Sequence, residues 1–201
     1  WIGMKNKRIT WDISQGMYVL TTVGAGCCVD AVSQISAGEE PLIAVAVMKQ
    51  NYTNEVLHQQ NRFAISVLGL DVDPEVIRTF GFHSMRDYDK FAHAKTELVE
   101  GLPILPDSLG YMILEKVETI ENETHTLFIG KMVEGDKFKA VEPMTYGYYQ
   151  KHKEELMQIK TAEGKTLWVC DVCGYVYEGE ELPADFTCPI CHVGPEHFHR
   201  K

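Results

Sequence analysis

The chain has 201 residues, a formal net charge of −10, and a composition that is 45% apolar and 24% charged. That is room for one ordinary domain and a small one, and the acidic balance argues against nucleic acid and anionic membrane surfaces as partners. No apolar run is long enough to span a bilayer and no signal-peptide pattern is seen, so the expected compartment is a reducing cytoplasm. Trp1, Ile2 and Gly3 precede Met4, the expected natural start.

Residues 4–150 read as a β-rich domain with short helices. Gly16–Val23 (GMYVLTTV) predicts a strand. Leu42–Val47 (LIAVAV) and Phe63–Leu68 (FAISVL) are short apolar runs between turn residues, as buried strands are. A helix is expected from Asn54 with Thr53 as N-cap. A second is expected from Pro74, with Asp73 as N-cap and proline at the first helical position, where its missing N–H costs nothing. Tyr111–Thr119 and His125–Val133 predict two strands joined by a polar turn at Glu121-Asn122-Glu123. Strands of this number and spacing point to a barrel rather than to an alternating doubly wound sheet. Tyr148–Lys160 is polar and expected to be helical, and Thr161–Lys165 reads as a flexible joint. Residues 151–166 are therefore the expected linker and residues 167–201 a separate small domain.

That small domain holds four of the six cysteines, as two C-x-x-C pairs: Cys170 and Cys173, Cys188 and Cys191. A segment of this length cannot bury enough apolar surface to fold unaided, so a metal or a cross-link is required. Each pair lets two thiolates reach one ion from a tight turn, and two turns close a tetrahedral shell. Four thiolates suit iron or zinc, and ligand count does not choose between them. Cys27 and Cys28 are adjacent, cannot bridge without strain, and read as small buried residues. His192, His197 and His199 read as a solvated tail.

The sequence around the pairs resembles rubredoxin: Cys170-Asp-Val-Cys173-Gly-Tyr-Val-Tyr177 at the first turn, and Glu181-Leu-Pro-Ala-Asp-Phe186-Thr-Cys188-Pro-Ile-Cys191-His-Val-Gly194 at the second. Trp168, Tyr175, Tyr177, Phe186 and Phe198 match that family's aromatic core. The loop between the pairs is shorter than in free-standing rubredoxins, and Phe186 stands where tryptophan is common. His192 replaces a glycine that usually takes φ > 0, a conformation histidine tolerates better than most residues. The resemblance implies one iron per chain, held by Cys170, Cys173, Cys188 and Cys191.

Residues 8–149 resemble the flavin reductase family, with its FMN-binding split β-barrel. The matching blocks are Gly16–Thr22, Asp30–Ser36, Pro41–Lys49 followed by Asn51-Tyr-Thr53, Phe80–Phe82, Asp89-Lys-Phe91, His125–Gly130 and Thr145-Tyr146. Lys49, Asn51 and Thr53 crowd before a predicted helix, where unpaired N–H groups and a partial positive charge suit a phosphate. The resemblance assigns Asp30, Ala31, Gln34 and Ser36 to the stretch lining the isoalloxazine, and Lys90 and Phe91 to a pair near it. Asp30 replaces an asparagine common in relatives. His125 lies near the flavin and the incoming nicotinamide in that family, which makes it the candidate catalytic residue.

Nicotinamide gives up two electrons as hydride, a tetrathiolate iron takes one at a time, and a flavin can do both. Zinc beside a flavin would be redox-inert, which favours iron. The two-part order resembles the high-molecular-weight rubredoxins. It implies NADH or NADPH as donor, FMN as cofactor, a homodimer, and an electron acceptor protein such as a flavodiiron protein. The acidic loop with Glu178, Glu180, Glu181 and Asp185 offers a face for a basic patch on that acceptor. The alternative is a reductase that releases reduced flavin and carries a structural zinc ribbon.

Overall fold

A computed structural model describes residues 7–157, 166–172, 174–189 and 192–200. In chain order the strands and helices are β1 (Tyr18–Thr22), β2 (Ala25–Val29), β3 (Val32–Ser36), β4 (Leu42–Met48), α1 (Tyr52–Gln59), β5 (Arg62–Val67), α2 (Pro74–Phe82), β6 (Glu97–Val99), β7 (Leu102–Ile104), β8 (Gly110–Glu121), β9 (His125–Lys137), α3 (Tyr146–Leu156), β10 (Leu167–Cys170), β11 (Val176–Glu178) and β12 (Phe198–Arg200). The chain is mainly β, as expected. No helix among the described residues is long and apolar enough to cross a membrane.

Seven strands form one sheet in the order β2-β1-β5-β8-β9-β4-β3, every pairing antiparallel. The two end strands, β2 and β3, are consecutive in the chain and joined by Asp30 and Ala31 alone. Two residues span only about 7 Å, so the sheet must roll until its ends meet. Asp30 and Ala31 lie at that seam, and Ala46 of β4 donates its N–H to Ala31 O at 3.0 Å.

Side chains alternate across the rolled sheet. Leu20, Phe63, Ile65, Leu114 and Phe128 enter one buried cluster. Val19, one residue from Leu20, joins a second cluster with Leu68, Ile77, Phe80 and Tyr149 from the loops, α2 and α3. Ala64 and Ile113 pack in a third, under the β6–β7 hairpin. Strands covered on both faces have no polar side, which explains the near-continuous apolar runs in β1 and β5. Gly130 is needed where β9 passes the interior, because a Cβ there would lie 2.8 Å from the Leu114 Cβ.

The helix expected from Pro74 begins there, with the Asp73 carboxylate accepting from Glu75 N–H at 2.9 Å. The first helix differs. Its N-cap is Asn51, whose Oδ1 accepts from Thr53 N–H at 3.1 Å, so Thr53 lies inside the first turn. Both residue types cap well, but Asn51 has the extended backbone (φ −73°, ψ 129°) that an N-cap requires. The last helix starts at Tyr146, two residues before the expected position, because Thr145 caps it. Residues 158–160, expected to continue it, and the 161–165 joint lie outside the described residues. The hairpin of β8 and β9 runs longer than expected at both ends. Strands β2, β3, β6 and β7 were not foreseen as strands.

Candidate functional site

The small domain is a three-stranded sheet in the order β11-β10-β12. Two turns in it are built alike. Cys170 N–H donates to Tyr175 O (2.8 Å) while Gly174 N–H donates to Cys170 O (2.9 Å). Cys188 N–H donates to Val193 O and His192 N–H to Cys188 O, both at 2.9 Å. The fourth residue after each leading cysteine has positive φ, 82° at Gly174 and 58° at His192, as expected for a histidine in the glycine position. Cys170 and Cys188 are fully buried. Cys173 and Cys191, the other two predicted ligands, lie outside the described residues, and no cluster of three metal-ligating side chains is found among the described residues. The matched turns and buried thiols fit a four-thiolate metal.

Around them pack Trp168, Tyr175, Phe186 and Phe198, with Tyr177 4.8 Å from Phe186 between ring centroids. The segment with His197 and His199, expected from the sequence to be a solvated tail, is instead held to the sheet. Phe198–Arg200 pairs with β10, and His199 Nδ1 sits 2.6 Å from Asp171 Oδ1. Three residues of backbone pairing outweigh the polar character that suggested a tail.

The larger domain gathers most of its candidates at the seam. Strand β4 pairs with β9 so that Met48 faces His125, and Lys49 N–H donates to Thr124 O at 3.0 Å. Lys49 and His125 are thereby neighbours across the strand pair, with Asn51 and Thr53 one turn away in α1. The His125 Nδ1 lies 2.8 Å from Thr124 Oγ1. The Asp30 carboxyl at the seam is pushed up chiefly by burial, against hydrogen bonds from the N–H groups of Asp30 and Ala31. The Cys27 thiol beneath is also pushed up by burial, against the Lys90 charge and hydrogen bonds with Thr53 and Asn51. Neither Cys27 nor Cys28 is bridged.

A carboxyl raised in the folded state stays protonated after its unfolded counterpart has ionised. Its stabilising contribution is present below the unfolded value of 3.8 and is lost as pH rises through the folded value. At neutral pH Asp30 therefore costs stability. Asp30→Asn is expected to raise the melting temperature at pH 7 by about 2 °C, with the gain shrinking toward pH 3.8. Differential scanning fluorimetry across that range checks it; a drop in melting temperature at pH 7 would contradict the assignment.

Gln34 and Ser36 lie further along β3, which pairs with β4 alone and so turns one row of backbone groups outward. Gln34 Nε2 donates to Ser36 O (3.1 Å), and Ser36 Oγ accepts from Leu42 N–H (3.1 Å) at a bulge in the pairing. Such an outward row, next to a capped helix start with a lysine, fits a planar heterocycle carrying a phosphate. Lys90 is placed differently from a surface lysine. It is 2% exposed, and its ammonium donates to Gly26 O (2.8 Å) and Phe80 O (2.9 Å). Phe91 packs against Phe80, 6.1 Å between ring centroids.

Sequence reasoning missed several polar neighbours. Glu121 was read only as part of a turn, yet it pairs with Lys49 at 2.8 Å and lies 3.3 Å from His58 Nε2. The hydrogen bond from Lys49 holds its carboxyl below the usual value. Its position in the turn before His125 was the available signal. Tyr146 of α3 was read only within a matching block, and Tyr149 was missed. They line a cleft of about 130 Å³ with Met17, Cys28, Val29 and Asp30. A larger cleft of about 520 Å³, lined by Leu109, Tyr111, Met132 and Pro143 among others, shares no residue with the candidate set. The seam carries the polar groups, so it is the better candidate.

Comparison with known proteins places these two units. Residues 11–157 match the family described as flavin reductase like domain, and residues 168–199 match that described as rubrerythrin, rubredoxin-like domain. A high molecular weight rubredoxin from Moorella thermoacetica is 34% identical over 94% of this chain and 96% of its own. A ferric-chelate reductase (NAD(P)H) from Archaeoglobus fulgidus is 30% identical over 72% of this chain and 88% of its own. The NADH:FAD oxidoreductase of Streptomyces globisporus, solved with NAD and FAD fragments, superposes with a TM-score of 0.61 at 25% identity, over 69% of this chain and 84% of its own.

Proposed function

Because the chain belongs to the flavin reductase-like family and carries a rubredoxin-like domain behind that unit, we propose that it carries electrons from NAD(P)H through bound FMN to a rubredoxin-type iron centre and on to an acceptor protein. It is an NAD(P)H-dependent oxidoreductase by its family. The observation that carries the proposal is the union in one chain of this fold with two matched cysteine turns. A bound flavin accepts both electrons of a hydride and yields them singly, and a ferric tetrathiolate takes one and becomes ferrous.

The working parts are residues 4–150, a connection at 151–166, and residues 167–201. Lys49, Asn51, Thr53 and the start of α1 hold the phosphate. Asp30, Ala31, Gln34 and Ser36 present the seam and the edge of β3 to the ring, closed into a split barrel. His125 stands over the site, where a neutral imidazole orients the nicotinamide carboxamide. Lys90 and Phe91 brace β2 and α2 from below. Cys170, Cys173, Cys188 and Cys191 hold one iron. The exposed end of the site at β3 favours a homodimer. The acidic loop from Glu178 to Asp185 meets a basic docking face on the acceptor, of which a flavodiiron protein is one kind.

Anaerobic titration of the purified protein with NADH and NADPH tests this. Bleaching of the flavin band followed by loss of the ferric charge-transfer band is expected. A yellow protein whose only metal is zinc, and which sheds reduced flavin, would overturn it. Lys49→Ala is expected to weaken FMN binding by about tenfold, the loss of one charge-assisted hydrogen bond. The pair with Glu121 moderates the loss, since the lysine must leave a carboxylate to meet a phosphate. Fluorescence titration of apoprotein reads it out, and unchanged affinity would remove Lys49 from the site.

A further inference from the structure

Three side chains of α3 reach the first metal turn. The Tyr146 hydroxyl donates to Val172 O at 2.9 Å, and Gln150 Nε2 donates to the same carbonyl at 2.6 Å. Lys153 Nζ donates to Cys170 O at 3.2 Å and to Asp171 O at 3.1 Å. Positions 146, 150 and 153 are spaced i, i+4, i+7, so they share one helix face. The carbonyls they engage are those of three successive residues, beginning with a metal ligand. Gly174 closes the fit, since a Cβ there would lie 3.3 Å from Lys153 Cδ and 3.5 Å from the Tyr149 hydroxyl. Lys153 is 8% exposed, and a lysine is rarely buried to that degree without a structural task.

The same helix also reaches the larger domain. Tyr146 and Tyr149 line the cleft that holds Cys28 and Asp30 at the seam. The helix is itself anchored to the larger domain by Tyr149 in the core and by an Arg78 guanidinium that donates to Met157 O. One element thus touches the proposed flavin stretch and the metal turn of the same chain.

We propose that α3 is the intramolecular docking platform for the metal domain, with Lys153 as the positioning residue that fixes the first metal turn beside the flavin cleft. This rests on the electron-carrier reading above and adds the route: the metal domain serves the flavin site of its own chain. Lys153 has a second consequence. Reduction adds one negative charge to the metal centre, and a cation on adjacent carbonyls favours that charge. Lys153 therefore raises the reduction potential.

The test uses the full-length iron- and FMN-loaded protein. Lys153→Met keeps the length and removes the charge, Lys153→Arg restores it, and Gln150→Ala removes a neutral contact. Iron content and visible spectrum establish that each variant is folded. In Lys153→Met the iron potential is expected to fall, small-angle scattering to show a more extended particle, and single-turnover transfer from reduced flavin to iron to slow by about tenfold. Reduction of the flavin by NAD(P)H stays at the wild-type rate, and Lys153→Arg recovers the potential. Unchanged potential and scattering in Lys153→Met would overturn the docking. If Lys153→Met fails to fold, Gln150→Ala decides: a more extended particle in scattering is expected, and unchanged scattering would overturn the docking. Potential and scattering need no nicotinamide, so a protein that docks but is not reduced by NAD(P)H refutes the electron-carrier reading and leaves the platform standing.

Discussion

Cys188→Ser is expected to give a colourless small domain and a chain that still reduces its flavin but passes nothing on. Cys188 is fully buried at the head of the second cysteine turn, packed with Cys170 and Phe198. The domain around it has one small aromatic cluster and three short strands. A core of that size supplies too little burial to fold alone. Metal binding contributes on the order of 10 kcal/mol to domains of this kind, and much of that is lost with one thiolate. Iron content, the charge-transfer band and reduction of an external acceptor should vanish together. Flavin bleaching by NAD(P)H should persist, because Cys188 lies outside the residues 11–157 that form the flavin reductase unit. A red, folded Cys188→Ser protein would contradict the ligand assignment.

Lys90→Met is expected to destabilise the larger domain by about 3 kcal/mol, lowering its melting temperature by about 6–12 °C. Helix α2 ends with no basic residue in its last turn, yet Lys90 brings an ammonium to Phe80 O from outside the helix. That is a cation at the negative end of a helix, where it is favoured. The same ammonium holds Gly26 O of β2. Burial holds its proton affinity below the ordinary lysine value, against the pull of Cys27 and Cys28. A methionine fills the space but leaves the carbonyl at the helix end without its donor. Chemical denaturation measures the loss, and a change under about 1 kcal/mol would show the ammonium to be replaceable by solvent.

Much of this was legible in the sequence, for reasons that differ by region. The turns that begin at Cys170 and Cys188 read directly, because the motif fixes local backbone geometry, and even the positive φ at His192 followed from its place in it. Helix α2 read well because Asp73 and Pro74 each act on the adjacent backbone. Strands β2 and β3 did not read. Cys27, Cys28, Ser33 and Gln34 carry little strand preference, so nothing in them announced that β2 folds back on β1 and β3 on β4. Lys90 was read as one of a pair near the flavin, since nothing local reports the two carbonyls that enclose it. Helix α3 looked merely polar. That Gln150 and Lys153 face another domain is a fact of tertiary structure, invisible to a hydrophobic pattern that treats polar residues as solvent-facing.

The join of β2 to β3 through Asp30 and Ala31 bears on how the molecule is assembled. Local hairpins such as β1–β2 and β8–β9 can form early, in microseconds. The pairing of β4 with β9 cannot, because it closes a stretch of some 80 residues. Contacts so distant in sequence make for slow folding, on a scale of milliseconds to seconds. The seven-stranded sheet is therefore completed last, and if the proposed flavin site lies at the seam, flavin uptake during refolding reports completion of the whole sheet rather than of any part.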